Sequence, residues 1–454
     1  MPLRSTLVLT KLALRLSKAL GRGAGTALPG LLSERLQPDL LERLGAELAN
    51  GVILVTGTNG KTTTTKLLAE MLTAAGERVL TNRAGSNLRR GLLSTLIQSA
   101  SLGGKIDATI GLFEVDEASL RRVSRELRPR AILVLNLFRD QLDRYGELDT
   151  LAALIGEGIA QSDARVFLNA DDPLVANLST YASDPTAVVY FGVESVPGAI
   201  ALQTAVDSDR CPRCASKLSF SRVFYGHIGH YTCPQGDFSR PQPQVAVMRV
   251  EAAPSGEQSF TLRVEGAGSE VTLPLPGTYN LYNAVAALAV AHGLGLDRAE
   301  SEAVLSRTSA AFGRVEHIDI QGRSIYLLLI KNPAGFTQVI ETFLARTTTP
   351  KILFAINDNY ADGRDISWLW DVPIEGITAR NPTCIVAGSR ADDMALRLHY
   401  ADIPARVVND LPDAVSALVS ATAEGETAFI LPTYTAMLAV RKYLAARTQL
   451  QEVW

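Results

Sequence analysis

The sequence is poor in cysteine, has no long apolar run and carries little net charge. Its 454 residues include four cysteines, too few for a disulfide scaffold. Lysine and arginine number 44 against 47 acidic residues, a net charge of −3. This balance argues against a nucleic-acid partner, because such proteins usually present a broad basic surface. No apolar run reaches the roughly 18–20 residues of a membrane-spanning helix, so we expect a cytoplasmic protein.

The first residues combine apolar and basic side chains at helical spacing. The stretch from Leu7 to Leu20 is apolar but interrupted by Lys11, Arg15 and Lys18. It has neither the continuous apolar core nor the cleavage site of a signal peptide. Two interpretations remain open: a basic amphipathic helix that rests on an anionic membrane, or a helix that packs on its own domain.

The rest of the composition is that of a globular protein, with 47% hydrophobic and 20% charged residues. At roughly 150 residues per domain, the length suggests about three domains. Short apolar runs alternate with helical stretches, which is typical of an α/β protein whose parallel sheet is covered on both faces. Residues 200–275 differ, and their alternating pattern predicts an inserted ribbon and a small antiparallel sheet. The apolar runs are 51–55, 108–113, 131–135, 164–168, 188–191, 325–330, 351–355, 384–387 and 428–431.

The strongest motif is a glycine loop between an apolar run and a helical stretch. Its residues are Gly57, Thr58, Asn59, Gly60, Lys61, Thr62 and Thr63. Backbone N–H groups of such a loop close around phosphate oxygens, and the following helix points its N-terminus at the same anion. Lys61 supplies charge to the β- and γ-phosphates, and the Thr62 hydroxyl can ligate Mg²⁺. Glu114 ends the run 108–113, where its carboxylate is a further candidate ligand for Mg²⁺.

Three of the cysteines lie close together in the sequence, namely Cys211, Cys214 and Cys233. This spacing favours a metal site in a reducing compartment over disulfides. A structural zinc site takes four ligands, typically from two Cys-x₂-Cys pairs, but the second pair here has Gly236 in the fourth place. Either a neighbour replaces the missing thiolate, or zinc is lost and packing holds the ribbon. The candidate replacements are Asp237, His227 and His230.

Together with the glycine loop, four further segments resemble the Mur ligase superfamily, the ATP-dependent enzymes that build peptidoglycan stems. These segments are 136–146, 169–173, 277–283 and 312–316. The third resembles the adenine-side motif, which implies that Asn280 and Asn283 bind the nucleotide. The fourth resembles the arginine motif that contacts ATP, which implies that Arg314 reaches a phosphate.

The resemblance also implies a fold and a domain order. We expect a Mur ligase-like central P-loop ATPase domain with an inserted cysteine ribbon, followed by a C-terminal Rossmann-like α/β domain. The expected boundaries are an N-terminal helical segment at 1–50 packed on the central domain, the central ATP-binding domain at 51–313 and the C-terminal domain at 314–454. The ribbon is expected at about 205–242, and the C-terminal domain is expected to contact a glutaminase.

Within the superfamily, the chain resembles the branch that amidates lipid II. The segment 357–371 and the cysteine insertion fit this branch, and the early position of the loop implies that the uridine-nucleotide-binding front domain is absent. The resemblance implies that ATP phosphorylates the D-glutamate α-carboxyl of lipid II at the membrane surface, and that ammonia converts the acyl phosphate to D-isoglutamine. Ammonia would come from a GatD-type glutaminase in a heterodimer. An aspartate of this chain would complete the partner's Cys–His pair, and the candidates are Asp358, Asp362 and Asp365.

Two other functions stay open at this point. A stand-alone Mur-type ligase would add an amino acid without a glutaminase, but the segment 357–371 argues against it. A non-catalytic scaffold would keep a relic ATP fold, which the intact Lys61, Thr62, Glu114 and Arg314 oppose.

Overall fold

The computed structural model describes residues 3–19, 27–82, 86–139, 148–196, 208–253, 257–308 and 316–448. The chain divides into two compact units. The first unit comprises Met1–Phe138 and Leu148–Thr308, and the second comprises Arg139–Glu147 and Ser309–Trp454. Among the described residues, no helix is both long enough and apolar enough to span a bilayer.

Most strands of the first unit join in one mixed sheet. The strands are β1 (Val52–Thr56), β2 (Val79–Thr81), β3 (Ile110–Glu114), β4 (Ala131–Val134), β5 (Arg165–Asn169), β6 (Val188–Val193), β7 (Ser219–Tyr225), β8 (Ile228–Thr232), β9 (Val245–Ala252), β10 (Gln258–Val264) and β11 (Ala267–Leu273). The sheet order is β11-β10-β9-β6-β5-β4-β1-β3-β2. Pairing is parallel from β2 to β9 and antiparallel from β9 to β11.

Helices cover both faces of this sheet, which explains why the central strands are apolar throughout. Every residue of β1, β3 and β4 is buried, as expected for parallel strands between two helical layers. The α/β prediction is thereby confirmed. The helices of the first unit are Leu3–Ala19, Ala27–Leu36, Leu40–Gly45, Lys61–Ala74, Arg89–Ser99, Leu120–Leu127, Leu148–Ile159, Pro173–Asn177, Thr278–Gly293 and Arg298–Leu305.

The strands of the expected small antiparallel sheet lie at an edge of the main sheet. β9 pairs in parallel with β6, so β9, β10 and β11 extend the main sheet. The physical reason is that β6 would otherwise leave a row of backbone donors and acceptors unpaired at an edge of the sheet.

β7 and β8 form a separate antiparallel hairpin. It has a small core of its own, in which aromatic side chains pack beside the clustered cysteines. The buried members of this core are Ala176, Cys211, Leu218, Tyr231, Cys233 and Phe238. Ala176 belongs to the helix Pro173–Asn177, so the hairpin core is continuous with the first unit.

The second unit has a six-stranded sheet. Its strands are β12 (Glu316–Ile320), β13 (Arg323–Leu327), β14 (Lys351–Ala355), β15 (Thr383–Ala387), β16 (Ala405–Val407) and β17 (Thr427–Pro432). The order is β12-β13-β17-β14-β15-β16, with only the β12–β13 pair antiparallel. The α-helices are Pro333–Val339, Ala391–His399, Leu411–Ala421 and Tyr434–Ala445, and shorter helical turns are Ile340–Leu344, Ser367–Asp371 and Ile374–Arg380.

Alternate residues of β14 enter two hydrophobic cores, one on each face of this sheet. Ile352 and Phe354 belong to one core and Leu353 to the other, because successive side chains of a strand point to opposite faces. Cys384 lies in the first of these cores, and burial raises the pKa of its thiol to about 12. It is therefore a packing residue and not a nucleophile.

Candidate active site and metal centre

The glycine loop connects β1 to the helix Lys61–Ala74. Gly57 and Gly60 have φ angles of 125° and 90°, a backbone conformation that residues with a Cβ rarely adopt. A Cβ on Gly60 would also clash with Asn283 Oδ1. The path of the loop into the helix therefore requires glycine at both positions.

The loop is held in shape by the segment that follows β4. Thr58 N–H donates to Asn136 O at 2.8 Å, and Asn59 N–H donates to Asn136 Oδ1 at 2.9 Å. Phe138 N–H donates to Thr58 Oγ1 at 3.0 Å. Because β1 and β4 are neighbours in the sheet, these two segments meet at its carboxyl edge.

Lys61 is buried at the first turn of its helix and paired with an acid. Its Nζ donates to Glu117 Oε1 at 2.8 Å and to Gly57 O at 2.5 Å. The sequence reasoning missed Glu117, whose signal was an acidic stretch directly after β3, the strand beside β1. This ion pair holds the ammonium group of Lys61 at the N-terminus of the helix, where it can bind an anion.

Thr62 and Glu114 meet where the two strands end. Thr62 Oγ1 donates to Glu114 Oε2 at 3.2 Å. The backbone of Glu114 is fixed by Asn82, another residue that the sequence reasoning missed, because Glu114 N–H donates to Asn82 Oδ1 at 2.8 Å. A hydroxyl and a carboxylate oxygen fit Mg²⁺, whose other ligands are usually phosphate oxygens and water.

The two predicted adenine-side residues lie in the first turns of the helix Thr278–Gly293. Asn283 Nδ2 donates to Asn280 Oδ1 at 3.2 Å, and Asn283 Oδ1 accepts from Thr64 Oγ1 at 3.3 Å. Both asparagines are buried, and Asn283 lies behind the glycine loop. Arg314, the predicted phosphate ligand, lies outside the described residues.

The three clustered cysteines converge with Asp237. Single ligand atoms of Cys211, Cys214, Cys233 and Asp237 all lie within 4.8 Å of one another. Cys214 Sγ is 3.5 Å from Cys233 Sγ and 3.7 Å from Asp237 Oδ1. Three sulfurs and a carboxylate oxygen form a donor set that Zn²⁺ accepts.

Hydrogen bonds shift the pKa values of two of these thiols in opposite directions. Donation by Ser216 lowers the pKa of Cys214, whereas the hydrogen bond to Asp237 raises the pKa of Cys233 to about 12. The two histidines considered as fourth ligands point elsewhere. His230 Nε2 lies 2.9 Å from Val193 O, and the buried His227 lies 3.3 Å from Asp172 Oδ2.

The buried carboxylate of Asp171, in the segment 169–173, holds the residues that follow β8 against the rest of the first unit. Arg240 Nε donates to Asp171 Oδ1 at 2.5 Å, and Tyr282 Oη donates to Asp171 Oδ2 at 2.6 Å. Burial raises the pKa of Asp171, and Arg240 opposes that rise. The same carboxylate therefore joins the residues after β8 to the helix that carries the two asparagines.

The three candidate aspartates of the second unit follow β14 and differ in their surroundings. Asp358 accepts from Ser389 Oγ at 2.8 Å and Arg390 Nε at 2.9 Å, contacts that lower its pKa. Asp362 is buried, and both of its oxygens accept from Thr435, at 2.5 and 2.7 Å. Asp365 accepts from the N–H of Ser367 at 2.8 Å.

Comparison with known proteins first identifies the class of protein to which the fold of this chain belongs. Residues 55–220 match the Mur ligase middle domain, and residues 329–437 match the MurT ligase C-terminal family. A pseudomurein peptide ligase type C from Methanothermus fervidus has a similar fold, with a TM-score of 0.67, 22% identity and coverage of 88% of this chain and 79% of that one. Folylpolyglutamate synthase from Mycobacterium tuberculosis covers 91% of this chain and 94% of its own, with a TM-score of 0.63 and 16% identity. The chain thus has the Mur ligase fold, as the sequence predicted.

Two relatives narrow the class further. The lipid II isoglutaminyl synthase (glutamine-hydrolyzing) subunit MurT of Streptococcus pneumoniae is 34% identical over 429 residues, covering 94% of this chain and 93% of its own. The protein of the same description from Staphylococcus aureus is 32% identical over 401 residues, 88% of each chain. The chain belongs to the MurT family of ligases.

Proposed function

We propose that this chain is the ATP-using subunit of an enzyme that amidates lipid II, converting the D-glutamate α-carboxyl of its stem to D-isoglutamine. The MurT relatives, named as subunits of a lipid II isoglutaminyl synthase, support this substrate and reaction. The observation that carries the catalytic part is the meeting of Thr62 Oγ1 and Glu114 Oε2 next to the lysine of the glycine loop.

The proposed reaction is a phosphoryl transfer followed by an acyl transfer. A carboxylate oxygen of the D-glutamate attacks the γ-phosphorus of ATP, and the bond to the β-phosphate oxygen breaks to release ADP. Ammonia then attacks the carbonyl carbon of the acyl phosphate. Inorganic phosphate leaves with the bonding electron pair, and the nitrogen loses a proton to give the amide.

The residues of the first unit act in this reaction by position and charge. The loop Gly57–Thr63 orients the phosphates through its N–H groups, and Lys61 offsets charge that develops on them. Mg²⁺ at Thr62 and Glu114 would supply further neutralisation. We assign Asn280 and Asn283 to the adenine side, within a central domain at 51–313 that follows the segment 1–50. Arg314, at the start of the proposed C-terminal domain, is assigned to a phosphate.

Ammonia is proposed to come from a GatD-type glutaminase bound to the C-terminal domain at 314–454. The word subunit in the names of the relatives supports a complex. Of the three aspartates, we favour Asp358 as the partner of the glutaminase histidine, since its pKa is lowered and it keeps an ionised carboxylate. Asp358 is bonded within its own chain but stays partly exposed, whereas Asp362 is buried and Asp365 closes a local turn.

The cysteine cluster is proposed to hold a structural Zn²⁺ with Asp237 as its fourth ligand. The convergence of one carboxylate oxygen with three sulfurs supports this assignment. The ion would stabilise the fold of the ribbon at about 205–242 and would take no part in the reaction, since four protein ligands leave no open position.

The test is amidation of purified lipid II by this chain together with a glutaminase, glutamine and ATP, followed by mass spectrometry. The product should carry an amide in place of one carboxyl group. Lys61→Ala should abolish the product, whereas Lys442→Ala, on a helix of the second unit, should leave it unchanged. Addition of an amino acid by the chain alone would instead favour a stand-alone Mur-type ligase. No product from wild type, or full activity of Lys61→Ala, would refute the proposal.

A further inference from the structure

One side of the helix Leu3–Ala19 packs on the rest of the first unit, as seen for residues 3–14, whose side chains are described. Thr6, Leu7 and Thr10 are fully buried, and the helix lies against Ala27–Leu36 and Arg89–Ser99. Its register on the domain is fixed by these contacts. An amphipathic helix that packs on its own domain still presents an outer face to its surroundings.

Three apolar side chains of this helix are exposed. Val8, Leu9 and Leu12 are 43%, 41% and 52% exposed, and their spacing places them on one side of the helix. Leu102, in a loop whose Gly104 approaches the side chain of Leu3, is also exposed. Single exposed leucines are ordinary, whereas a group of four on neighbouring segments indicates a binding surface.

The charge of the helix identifies the kind of partner. Its sequence contains four cations and no acidic residue. Arg4 is exposed, and Lys11 donates from the helix to Gln98 O at 3.2 Å, which holds this cation beside the apolar stripe. A partner that matches leucines flanked by lysine and arginine must be apolar in its interior and anionic at its surface, and a bilayer with acidic headgroups is both.

We propose that Val8, Leu9 and Leu12 dock this chain on an anionic phospholipid bilayer, with the helix lying in the plane of the interface. Arg4 and Lys11 would lie at the level of the headgroup phosphates. The choice of a bilayer over another protein rests in part on the proposed function, because a lipid-anchored substrate is held at that surface.

Vesicle sedimentation tests this surface with the full-length chain. We expect it to bind vesicles of equimolar phosphatidylcholine and phosphatidylglycerol, and to bind pure phosphatidylcholine vesicles about fivefold more weakly for each cation that contacts the headgroups. Leu12→Glu should reduce binding roughly tenfold or more, the factor that burial of one leucine contributes. Leu438→Glu is the matched control, since Leu438 is 43% exposed on a helix of the second unit; it should bind as the wild type does.

Two results of the vesicle experiment would overturn the proposal. One is a wild-type chain that fails to bind the anionic vesicles, and the other is an equal loss of binding in Leu12→Glu and Leu438→Glu. Sedimentation velocity tests whether the same surface binds a second copy of the chain. A dimer that Leu12→Glu abolishes would assign the surface to that contact and would refute docking on a bilayer.

The vesicles contain no lipid II, so their binding is measured independently of the proposed function. With a short-chain, water-soluble analogue of lipid II, Leu12→Glu should amidate at the wild-type rate. Vesicle binding without any amidation of lipid II would refute the proposed function and leave the docking surface standing.

Discussion

The buried carboxylate of Asp171 provides a quantitative test of how the hairpin region is held. Arg240 Nε lies 2.5 Å from Asp171 Oδ1, and Asp171 is fully buried. Arg240→Met removes the guanidinium and leaves the buried carboxylate of Asp171 without its cation, a change that generally costs about 3–5 kcal/mol. Because Tyr282 Oη and Val193 N–H still donate to the carboxylate, we expect a loss of about 3 kcal/mol in the free energy of unfolding.

Thermal unfolding of the full-length chain measures this loss. The midpoint should fall by about 3–5 °C, because the entropy of unfolding is about 2.1 cal/mol/K per residue. The double variant Asp171→Asn/Arg240→Met should recover most of the loss, because no buried charge remains. Arg249→Met is the control, since its ion pair with Glu251 is exposed and its loss should change stability by less than about 1 kcal/mol.

The dependence on pH gives a second check. Burial raises the pKa of Asp171, so the protonated carboxyl stabilises the fold at low pH. That contribution is lost as the pH rises through the pKa of the folded state. The deficit of Arg240→Met should therefore shrink as the pH falls and the Asp171 carboxyl becomes protonated. An equal deficit in the double variant, or one independent of pH, would refute the buried charge as its cause.

Three further predictions concern the phosphate loop, the metal centre and the glutaminase. Gly60→Ala should weaken nucleotide binding, measured by calorimetry, by at least about tenfold, because a Cβ there would strain the backbone and meet the side chain of Asn283. Gly76→Ala is the control for strain alone, since Gly76 also has a positive φ but has open space around it. Equal effects of the two substitutions on nucleotide binding would contradict this prediction. Asp237→Ala should lower the zinc affinity, measured by equilibrium dialysis, by more than the 10–100-fold typical of an outer-shell partner; unchanged zinc content would exclude this ligand. Asp358→Asn should abolish glutamine-dependent amidation but not amidation with added ammonium, and the exposed Asp392→Asn should affect neither; full glutamine-dependent activity of Asp358→Asn would exclude that role.

The geometry of the glycine loop could be predicted from the sequence because it is encoded within seven consecutive residues. Gly57 and Gly60 supply the two positive φ angles, and Lys61 starts the helix. The role of Glu117 could not be predicted in this way. It lies 56 residues from Lys61, and only the adjacency of β1 and β3 brings the two together.

The fourth ligand of the cysteine cluster could not be chosen from the sequence for a similar reason. Asp237, His227 and His230 are all near Cys233 in sequence, and of the three the structure brings Asp237 to the sulfurs. His227 lies at the turn between β7 and β8, which carries it to Phe138 at a ring distance of 4.7 Å. Asp237 follows the hairpin and returns to the sulfurs. The pairing of β9 with β6 could likewise not be predicted, because it depends on which strand lies at the edge of the main sheet.

The attachment of the hairpin bears on how far this part of the chain is a separable module. In sequence, it lies between two strands of the same sheet, β6 and β9, and resembles an insertion that could be removed. In the structure, Arg240 neutralises Asp171, and His227 and Tyr225 cover the ring of Phe138. A shortened chain without residues 208–240 would leave a buried carboxylate without its cation and an aromatic ring exposed to water. Transplanting or deleting this segment would therefore require compensating substitutions in the body of the first unit.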